Sequence, residues 1–315
     1  MQRFFLTGDC HGEFEKIIFF CQHHKTTTDD YMIILGDVGL NFCMDHRDEE
    51  QKKVLDRLSV SFLCIHGNHE ERPYNISSYQ QKEWHGGIVY YEEAHPTILF
   101  AKDGEVYDLA GKKAIVIGGA YSADKSFRLM LGLPWFSEEQ PSEQTKTYVE
   151  TQLEKQNWTV DFVFSHTCPL MYEPWEKYAG IIDKKDMDQS TEQWLDEIAS
   201  KLDYKCWYFG HYHDNICYER AELLYEEIKE LGKTGFIQKL GNPIYRTEEE
   251  VLFYIEDQNG TENNGYGVIE NVEAYGTEDQ CREVSYNIKG IIAGKADQKQ
   301  CFLHVRESVI ERIYE

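Results

Sequence analysis

The sequence predicts an α/β sandwich with buried central strands, followed by a small β-rich module at the C-terminus. Apolar runs of strand length alternate with amphipathic segments of helix length across residues 1–233, a rhythm typical of α/β domains. Short strand-like pieces separated by Gly, Pro and Asp interrupt this rhythm at residues 86–117 and indicate an antiparallel portion. Further short strand-like segments, divided by the turn-rich stretch QNGTENNG, occupy residues 234–315. We therefore expect a catalytic domain at 1–233 and a β-rich domain at 234–315.

Each element of the α/β part is predicted from its own pattern of apolar residues. Six runs are predicted as buried strands, in chain order RFFLTG, YMIILGD, SFLCIHGN, KAIVIGG, VDFVFSHT and CWYFGHYH. Four segments between them suit amphipathic helices: EFEKIIFFCQHH, RDEEQKKVLDRL, SEQTKTYVETQLEKQ and STEQWLDEIASKL. The segment AELLYEEIKELGKTG predicts a further helix that ends at Gly232 or Gly235. Residues 119–144 predict a long irregular excursion, of the kind that forms a lid or a substrate wall.

The composition narrows the possible partners and the compartment. Acidic residues outnumber basic ones by 56 to 32, and the formal net charge of −24 repels polyphosphate backbones and anionic bilayers. We therefore expect no membrane partner and no bulk nucleic-acid binding. No apolar stretch approaches the ~18 residues of a membrane span, and the first apolar run meets Gly8 and Asp9 at once, so no leader is expected. The nine cysteines contain no Cys-x-x-Cys pair and predict free thiols in a reducing cytoplasm.

Polar side chains follow five of the predicted strands at the point where each strand ends. These side chains are Asp9, His11, Asp37, Asn68, His69, His166, His211 and His213. In an open α/β sheet, the crevice at the carboxyl ends of the strands is where sites form. Taken singly, a Gly-Asp pair is more typical of a turn, and a lone histidine is more typical of a hydrogen-bonded core residue. Five such clusters in order favour a common site, whereas the remaining histidines lack this setting and are interpreted as surface or packing residues.

Mixed carboxylate, amide and imidazole donors in one crevice predict two divalent metal ions about 3.5–4 Å apart. Asp37 is suited to bridging them, because a carboxylate has two oxygens with spare lone pairs. The expected ligands of one ion are Asp9, His11 and His213, and those of the other are Asn68, His166 and His211. This donor set suits manganese first, with iron, zinc or nickel as alternatives.

An ordered set of motifs resembles the signature of calcineurin-like metallophosphoesterases of the bacterial or phage type: Asp9-x-His11, Gly36-Asp37, Gly67-Asn68-His69-Glu70, His166 and Gly210-His211-x-His213. The resemblance covers about residues 1–230 and leaves the C-terminal module outside. It implies a metallophosphoesterase β-sandwich flanked by helices, with a dinuclear metal centre. By position it implies that His69 is catalytic and that seven residues are metal ligands, namely Asp9, His11, Asp37, Asn68, His166, His211 and His213.

The sequence departs from the Ser/Thr protein-phosphatase branch of this family. That branch carries Gly-Asp-x-Val-Asp-Arg-Gly where this chain has GDVGLNF, so Leu40 and Asn41 stand in place of Asp and Arg. It also has an arginine where this chain has His66. Bidentate arginine is the usual means of holding a dianionic monoester. The departure favours a small or nucleotide-like phosphodiester as substrate, with a phosphomonoester or a phosphoprotein as the alternative.

The expected reaction is hydrolysis of this ester by a hydroxide that bridges the two ions. Because His69 follows the expected ligand Asn68, we expect it to protonate the leaving alkoxide or to stabilise an oxyanion. Glu70 or Asp9 is expected to orient its ring.

The excursion at 119–144 carries a separate expectation about the substrate. Tyr121, Lys125 and Arg128 are expected to form an aromatic and cationic wall for a nucleobase or a nucleotide phosphate. A surface loop pinned by buried Trp135 and Phe136 explains the same stretch equally well.

Other functions compete with catalysis. A scaffold that uses the phosphoesterase fold only for binding would be marked by lost ligands, and the sequence lacks none of them. A DNA nuclease is disfavoured by the charge of −24. The C-terminal strands GYGVIENVEAYG and REVSYNIKG resemble small SH3-like barrels, and the module is expected either to build a homo-oligomer or to pack on the catalytic domain.

Overall fold

The computed structural model describes residues 2–175, 187–233, 245–256, 262–275, 283–293 and 299–313. The chain divides into two compact units, residues 1–237 and 238–315. The predicted boundary at residue 234 lies outside the described residues. No helix in the described part of the chain combines the length and the apolar character that crossing a bilayer requires.

Strands of the first unit form two sheets. The strands are β1 (Phe4–Thr7), β2 (Tyr31–Ile34), β3 (Ser61–Cys64), β4 (Gln80–Trp84), β5 (Gly87–Glu92), β6 (His95–Ala101), β7 (Val106–Leu109), β8 (Lys112–Ile117), β9 (Phe162–Ser165), β10 (Cys206–Phe209), β11 (Ile216–Cys217), β12 (Ala221–Leu223) and β13 (Lys229–Glu230). The first sheet has the order β13-β1-β2-β3-β6-β5-β4, and the second has the order β11-β12-β10-β9-β8-β7. Strands β1, β2, β3 and β6 run parallel in the first sheet, as do β8, β9, β10 and β12 in the second.

The two sheets face each other across an apolar core, and helices cover their outer faces. The helices are α1 (Glu15–His23), α2 (His46–Leu55), α3 (Lys125–Leu131), α4 (Glu143–Lys155) and α5 (Ser190–Lys201). Alternate residues of a strand point to opposite faces, so Leu6 joins the core between the sheets while Phe5 packs with Phe20 of α1. On the other side, Trp207 packs with residues of α4 and α5. The predicted α/β class, a sandwich flanked by helices, is confirmed.

The helix predicted from AELLYEEIKELGKTG is wrong. Its first residues form β12, which pairs in parallel with β10, and β13 later pairs with β1. Ala221 and Leu223 are fully buried, and Glu222 between them forms an ion pair with Lys229. This alternation suits a strand, and pairing with two sheets overrides the strong helix propensity of Glu, Leu and Lys. The predicted irregular excursion at 119–144 also contains α3, which ends at Gly132 in the left-handed conformation.

The described part of the second unit is a five-stranded antiparallel sheet. Its strands are β14 (Glu250–Glu256), β15 (Glu262–Tyr275), β16 (Glu283–Ile292), β17 (Gln300–Arg306) and β18 (Ile310–Arg312). They lie in the order β17-β16-β15-β14-β18, around an apolar cluster that includes Phe253, Tyr286 and Ile310. The predicted β-rich character is present, and the SH3-like form stays a prediction.

His95, at the start of β6, joins this strand to helix α2 through two carboxylates. Its ring is buried, with Nδ1 2.5 Å from Asp56 Oδ2 and Nε2 3.0 Å from Glu49 Oε2. Burial lowers the pKa of the imidazole, but the hydrogen bonds to Asp56 and Glu49 outweigh burial and raise this pKa above its ordinary value. The folded protein therefore holds this proton more tightly than the unfolded chain does.

We expect His95→Gln to lower the free energy of unfolding by about 1–2 kcal/mol in acid, because a charge-assisted contact is lost. A histidine with a raised pKa stabilises the fold fully below its unfolded pKa of ~6.5, and this stabilisation is lost as pH rises through the folded value. Urea unfolding between about pH 5.5 and about pH 9.5 measures the difference. The control is His46→Gln, a change on an exposed side chain of helix α2. An equal loss at both ends of the pH range contradicts the charged pairing.

Candidate metal centre

The eight side chains predicted from the strand ends converge at one place. Their positions are Asp9 and His11 after β1, Asp37 after β2, Asn68 and His69 after β3, His166 after β9, and His211 and His213 after β10. The first three strands belong to one sheet and the last two belong to the other. Both sheets therefore contribute donors to the same cluster.

One group consists of the residues expected to hold the first ion. His11 Nε2 lies 3.0 Å from His213 Nε2. Asp9 Oδ2 lies 3.3 Å from His213 Nε2 and 3.8 Å from His11 Nε2. Donor atoms of all three residues lie within 4.8 Å of one another, close enough for a single ion to bind all three.

A second group surrounds His166. Its Nε2 lies 2.8 Å from Asn68 Oδ1 and 3.6 Å from Asp37 Oδ2, and its ring contacts the His211 ring with centroids 5.0 Å apart. Asp37 Oδ2 also lies 3.9 Å from His11 Nε2 in the first group. Asp37 therefore lies between the two groups, which supports the bridging role predicted for it.

Four of these residues have a left-handed backbone, which is uncommon outside glycine. The φ angles are 49° at His11, 45° at Asp37, 69° at His211 and 47° at His213. Each such residue costs on the order of 1–3 kcal/mol and persists only where the surrounding structure holds it. The grouping of four such residues at the cluster indicates that the fold orients these side chains toward a common point.

Glycines beside the donors are required for close approach of the chain. A Cβ at Gly67 would lie 1.9 Å from Asp37 Oδ1, and one at Gly210 would lie 2.2 Å from Asp9 Oδ1. Real Cβ atoms do not tolerate such distances, so any larger residue would displace a donor.

Buried carboxylates and imidazoles in the cluster shift one another's pKa values. Burial alone would raise the pKa of Asp9, but His166 and His213 outweigh it and lower this pKa to about 2. Burial opposes the charge on His166, but Asp37 and Asp9 raise its pKa to about 9. Burial, together with the neighbouring His166, lowers the pKa of His211 to about 3, which leaves its ring neutral and able to donate a lone pair.

The cluster fits divalent metal ions. Among the described residues, the ion-pair contacts to Asp9 and Asp37 come from histidines, and the buried Oδ2 of Asp9 has no hydrogen-bond partner. His166 Nδ1 lies 2.8 Å from the carbonyl oxygen of Leu35, a contact that fixes the proton on Nδ1 and leaves Nε2 as a donor toward the cluster. A buried carboxylate oxygen that accepts no hydrogen bond and is surrounded by imidazole nitrogens is an environment that a cation stabilises.

His69 lies at the edge of the cluster and is partly open to solvent. Its Nδ1 is 3.9 Å from Asp37 Oδ2, and its Nε2 is 3.7 Å from Asp124 Oδ1. Burial lowers the pKa of His69, and Arg128 lowers it further against the opposing effect of Asp37. The carboxylates beside the ring are thus Asp37 and Asp124, not the expected Glu70 or Asp9.

Glu70 has a structural position under the turn. It accepts a hydrogen bond of 2.9 Å from the Gly67 N–H, and burial together with Asp37 raises the pKa of its carboxyl to about 8. Sequence reasoning missed Asp124, and it missed Ser122, whose hydroxyl accepts a hydrogen bond of 2.9 Å from Asn68 Nδ2. Both lie in the loop before α3, where no motif marks them.

The three residues predicted to bind substrate lie in or before α3. Arg128 is buried, with its guanidinium carbon 5.1 Å from the centre of the Phe42 ring. Lys125 lies 4.0 Å above the Trp135 ring, and Tyr121 is half-buried in the loop. Phe42 in turn lines a cavity of about 440 Å³ together with His11, Asp37 and His69. Arg128 therefore supports a wall of the cavity that opens onto the donor cluster.

The fold and the converging donors are those of a metal-dependent hydrolase. Residues 2–215 match the model of the family described as calcineurin-like phosphoesterase. The chain belongs to this family, and it is a metal-dependent phosphoesterase by that membership.

Two of the solved structures that match this chain share little sequence with it. One is the phosphopantetheinyl hydrolase from Mycobacterium tuberculosis, with 12% identity, a TM-score of 0.40, and coverage of 71% of this chain and 88% of that one. Another is a protein of unknown function from Aquifex aeolicus, with 13% identity, a TM-score of 0.29, and coverage of 58% of this chain and 88% of that one. No curated protein matches the chain.

Proposed function

We propose that this protein uses two divalent ions, manganese by preference, to hydrolyse a small or nucleotide-like phosphodiester. The observation that carries the proposal is the convergence of the seven expected metal ligands from both sheets beside the partly exposed ring of His69. Such mixed donors suit first-row divalent ions.

The preference for a diester rests on two buried positions in the chain segments that carry Asp37 and Asn68. Asn41 is buried, and its Oδ1 accepts a hydrogen bond of 3.1 Å from the Tyr79 hydroxyl. His66 is buried as well, and burial and the nearby Arg72 hold its pKa well below the ordinary value. Both positions therefore carry neutral groups in place of the paired guanidiniums that suit a dianionic monoester. Arg72 itself donates to Asp103 and to the carbonyl of Glu138.

In the proposed mechanism, one ion would be held by Asp9, His11 and His213, and the other would be held by Asn68, His166 and His211. Asp37 lies between the two groups and would contribute to both. When bound, such ions lower the pKa of water and neutralise charge on phosphate oxygens. His69 presents Nε2 on the side away from Asp37 and donates its proton to the departing alkoxide or to an oxyanion. Asp124 orients this ring, and Tyr121, Lys125 and Arg128 form the substrate wall.

The C-terminal unit is proposed to be an SH3-like module that builds a homo-oligomer. Exposed Leu252 and Tyr266 lie opposite each other on β14 and β15 and support this role, because exposed apolar pairs are typical of contact surfaces.

Paired nitrophenyl substrates test the proposed function. We expect kcat/KM for bis(para-nitrophenyl) phosphate to exceed that for para-nitrophenyl phosphate by about tenfold or more, equivalent to ~1.4 kcal/mol. The purified protein is assayed after loading with manganese, iron, zinc or nickel in turn. A preference for the monoester would favour a phosphomonoesterase or protein phosphatase. Failure to hydrolyse either ester with any metal would favour a scaffold.

A further inference from the structure

Helix α3 buries a charged side chain and exposes apolar ones, the reverse of an ordinary surface helix. Arg128 is its buried residue, whereas four apolar side chains are more than half exposed: Phe127, Leu129, Met130 and Leu131. A surface helix normally turns its apolar stripe toward the core and its charges toward water. An exposed apolar cluster of this kind marks a contact with something outside the folded chain.

One face of α3 borders the candidate metal centre. Asp124, the N-cap residue just before the helix, has its Oδ1 3.7 Å from His69 Nε2. At ~100° per residue, Phe127, Arg128 and Leu131 lie on the same side of the helix as Asp124, whereas Leu129 lies on the other side. With a rise of ~1.5 Å per residue, Leu131 lies about 10 Å along the helix from Asp124. The apolar face thus extends outward from the donor cluster.

Arg128 links helix α3 to one residue of the cavity wall. Arg128 stacks on Phe42, and Phe42 lines the cavity that contains His11, Asp37 and His69. Because Asp124 lies beside His69, an ester group that extends from the donors past Asp124 would reach the side of α3 that carries Phe127 and Leu131. The net charge of −24 opposes an anionic bilayer at this face.

We propose that the non-leaving ester group of the substrate is an apolar chain or ring that packs against Phe127 and Leu131. This inference rests on the proposed function and narrows its substrate class. The phosphodiester bears its charge at the donors, and its apolar group covers the exposed face of α3.

A series of diesters with one leaving group tests the inference. Methyl, butyl and octyl para-nitrophenyl phosphates differ only in the non-leaving group, so the chemical step is held constant. We expect kcat/KM of the metal-loaded protein to rise about twofold per added methylene, because each one is partly removed from water. A thymidine para-nitrophenyl phosphate serves as the polar comparison.

Two variants of the same residue type separate the faces of α3. Leu129 and Leu131 are both 54% exposed, so neither change removes core packing. Leu131→Ser is expected to flatten the dependence on chain length, and Phe127→Ser is expected to do the same. Leu129→Ser is the matched control and is expected to keep the slope of the parent.

The outcomes distinguish this inference from the proposed function. Two results would overturn the proposed apolar ester group but leave the proposed function standing. One is hydrolysis of all the esters at equal kcat/KM, and the other is a preference for the thymidine ester over the octyl ester. Equal slopes in Leu129→Ser and Leu131→Ser would overturn its placement. Hydrolysis of none of them would refute the proposed function instead. Two further results would also overturn the proposal. A dimer in size-exclusion chromatography that both leucine variants abolish would assign the face to a second copy of the chain. Sedimentation with phosphatidylcholine vesicles that both variants abolish would assign it to a neutral bilayer.

Discussion

Asp37→Asn is expected to remove metal from the protein and to reduce turnover of bis(para-nitrophenyl) phosphate by about 10³-fold or more. Asp37 lies between the two donor groups, with Oδ2 3.6 Å from His166 Nε2 and 3.9 Å from His11 Nε2. Asparagine keeps the shape but loses the charge and one oxygen acceptor. A loss of several kcal/mol of charge stabilisation by bound ions corresponds to this factor. Elemental analysis of metal-loaded protein, combined with steady-state kinetics, measures both effects.

Asp29→Asn provides the matched control for this change. Asp29 is exposed in the turn before β2, so its substitution is expected to leave metal content and turnover unchanged. The bridging role of Asp37 would be refuted if the Asp37 variant kept two ions per chain and a turnover within tenfold of the parent.

His69→Ala is expected to keep the metal content of the parent and to lose turnover by ~10²–10⁴-fold. The loss is expected because His69 borders the donor cluster through Asp37 without belonging to either expected ligand group. It is expected to be smaller for an ester with an activated nitrophenyl leaving group than for one with a phenyl leaving group, since a good leaving group needs less help from a proton. Kinetics on methyl para-nitrophenyl phosphate and methyl phenyl phosphate make this comparison.

His46→Ala is the control for His69→Ala, because His46 is exposed at the start of α2. Equal losses on the two esters would remove the proton-donor role and leave stabilisation of an oxyanion as the role of His69. A normal turnover in His69→Ala would remove both roles.

The candidate centre could be predicted because the positions of its residues are marked by the local sequence around each of them. Each donor follows a short apolar strand, and parallel strands bring their carboxyl ends together without any further information. Gly67 and Gly210 mark the same places, since a side chain there would displace a donor. The sequence therefore carried the fold class and the positions of the donors.

Other features depend on contacts between distant segments, which no local pattern encodes. Asp124 reaches His69 from a loop with no motif, and Arg128 turns inward although it is charged. The wrong helix at AELLYEEIKELGKTG has the same cause: its residues favour a helix, but pairing of Ala221–Leu223 with β10 decides the structure. Propensity and periodicity describe one segment at a time, whereas these outcomes depend on the partner segment.

The origin of the donors in two different sheets has a consequence for heat resistance. Three of the five donor-bearing strands lie in one sheet and two lie in the other. A cation bound to donors from both would therefore hold the two sheets together. A ligand that binds only the native state stabilises that state in proportion to the logarithm of its concentration. Metal binding at the proposed centre would thereby couple the thermal tolerance of this domain to the supply of divalent cations around it.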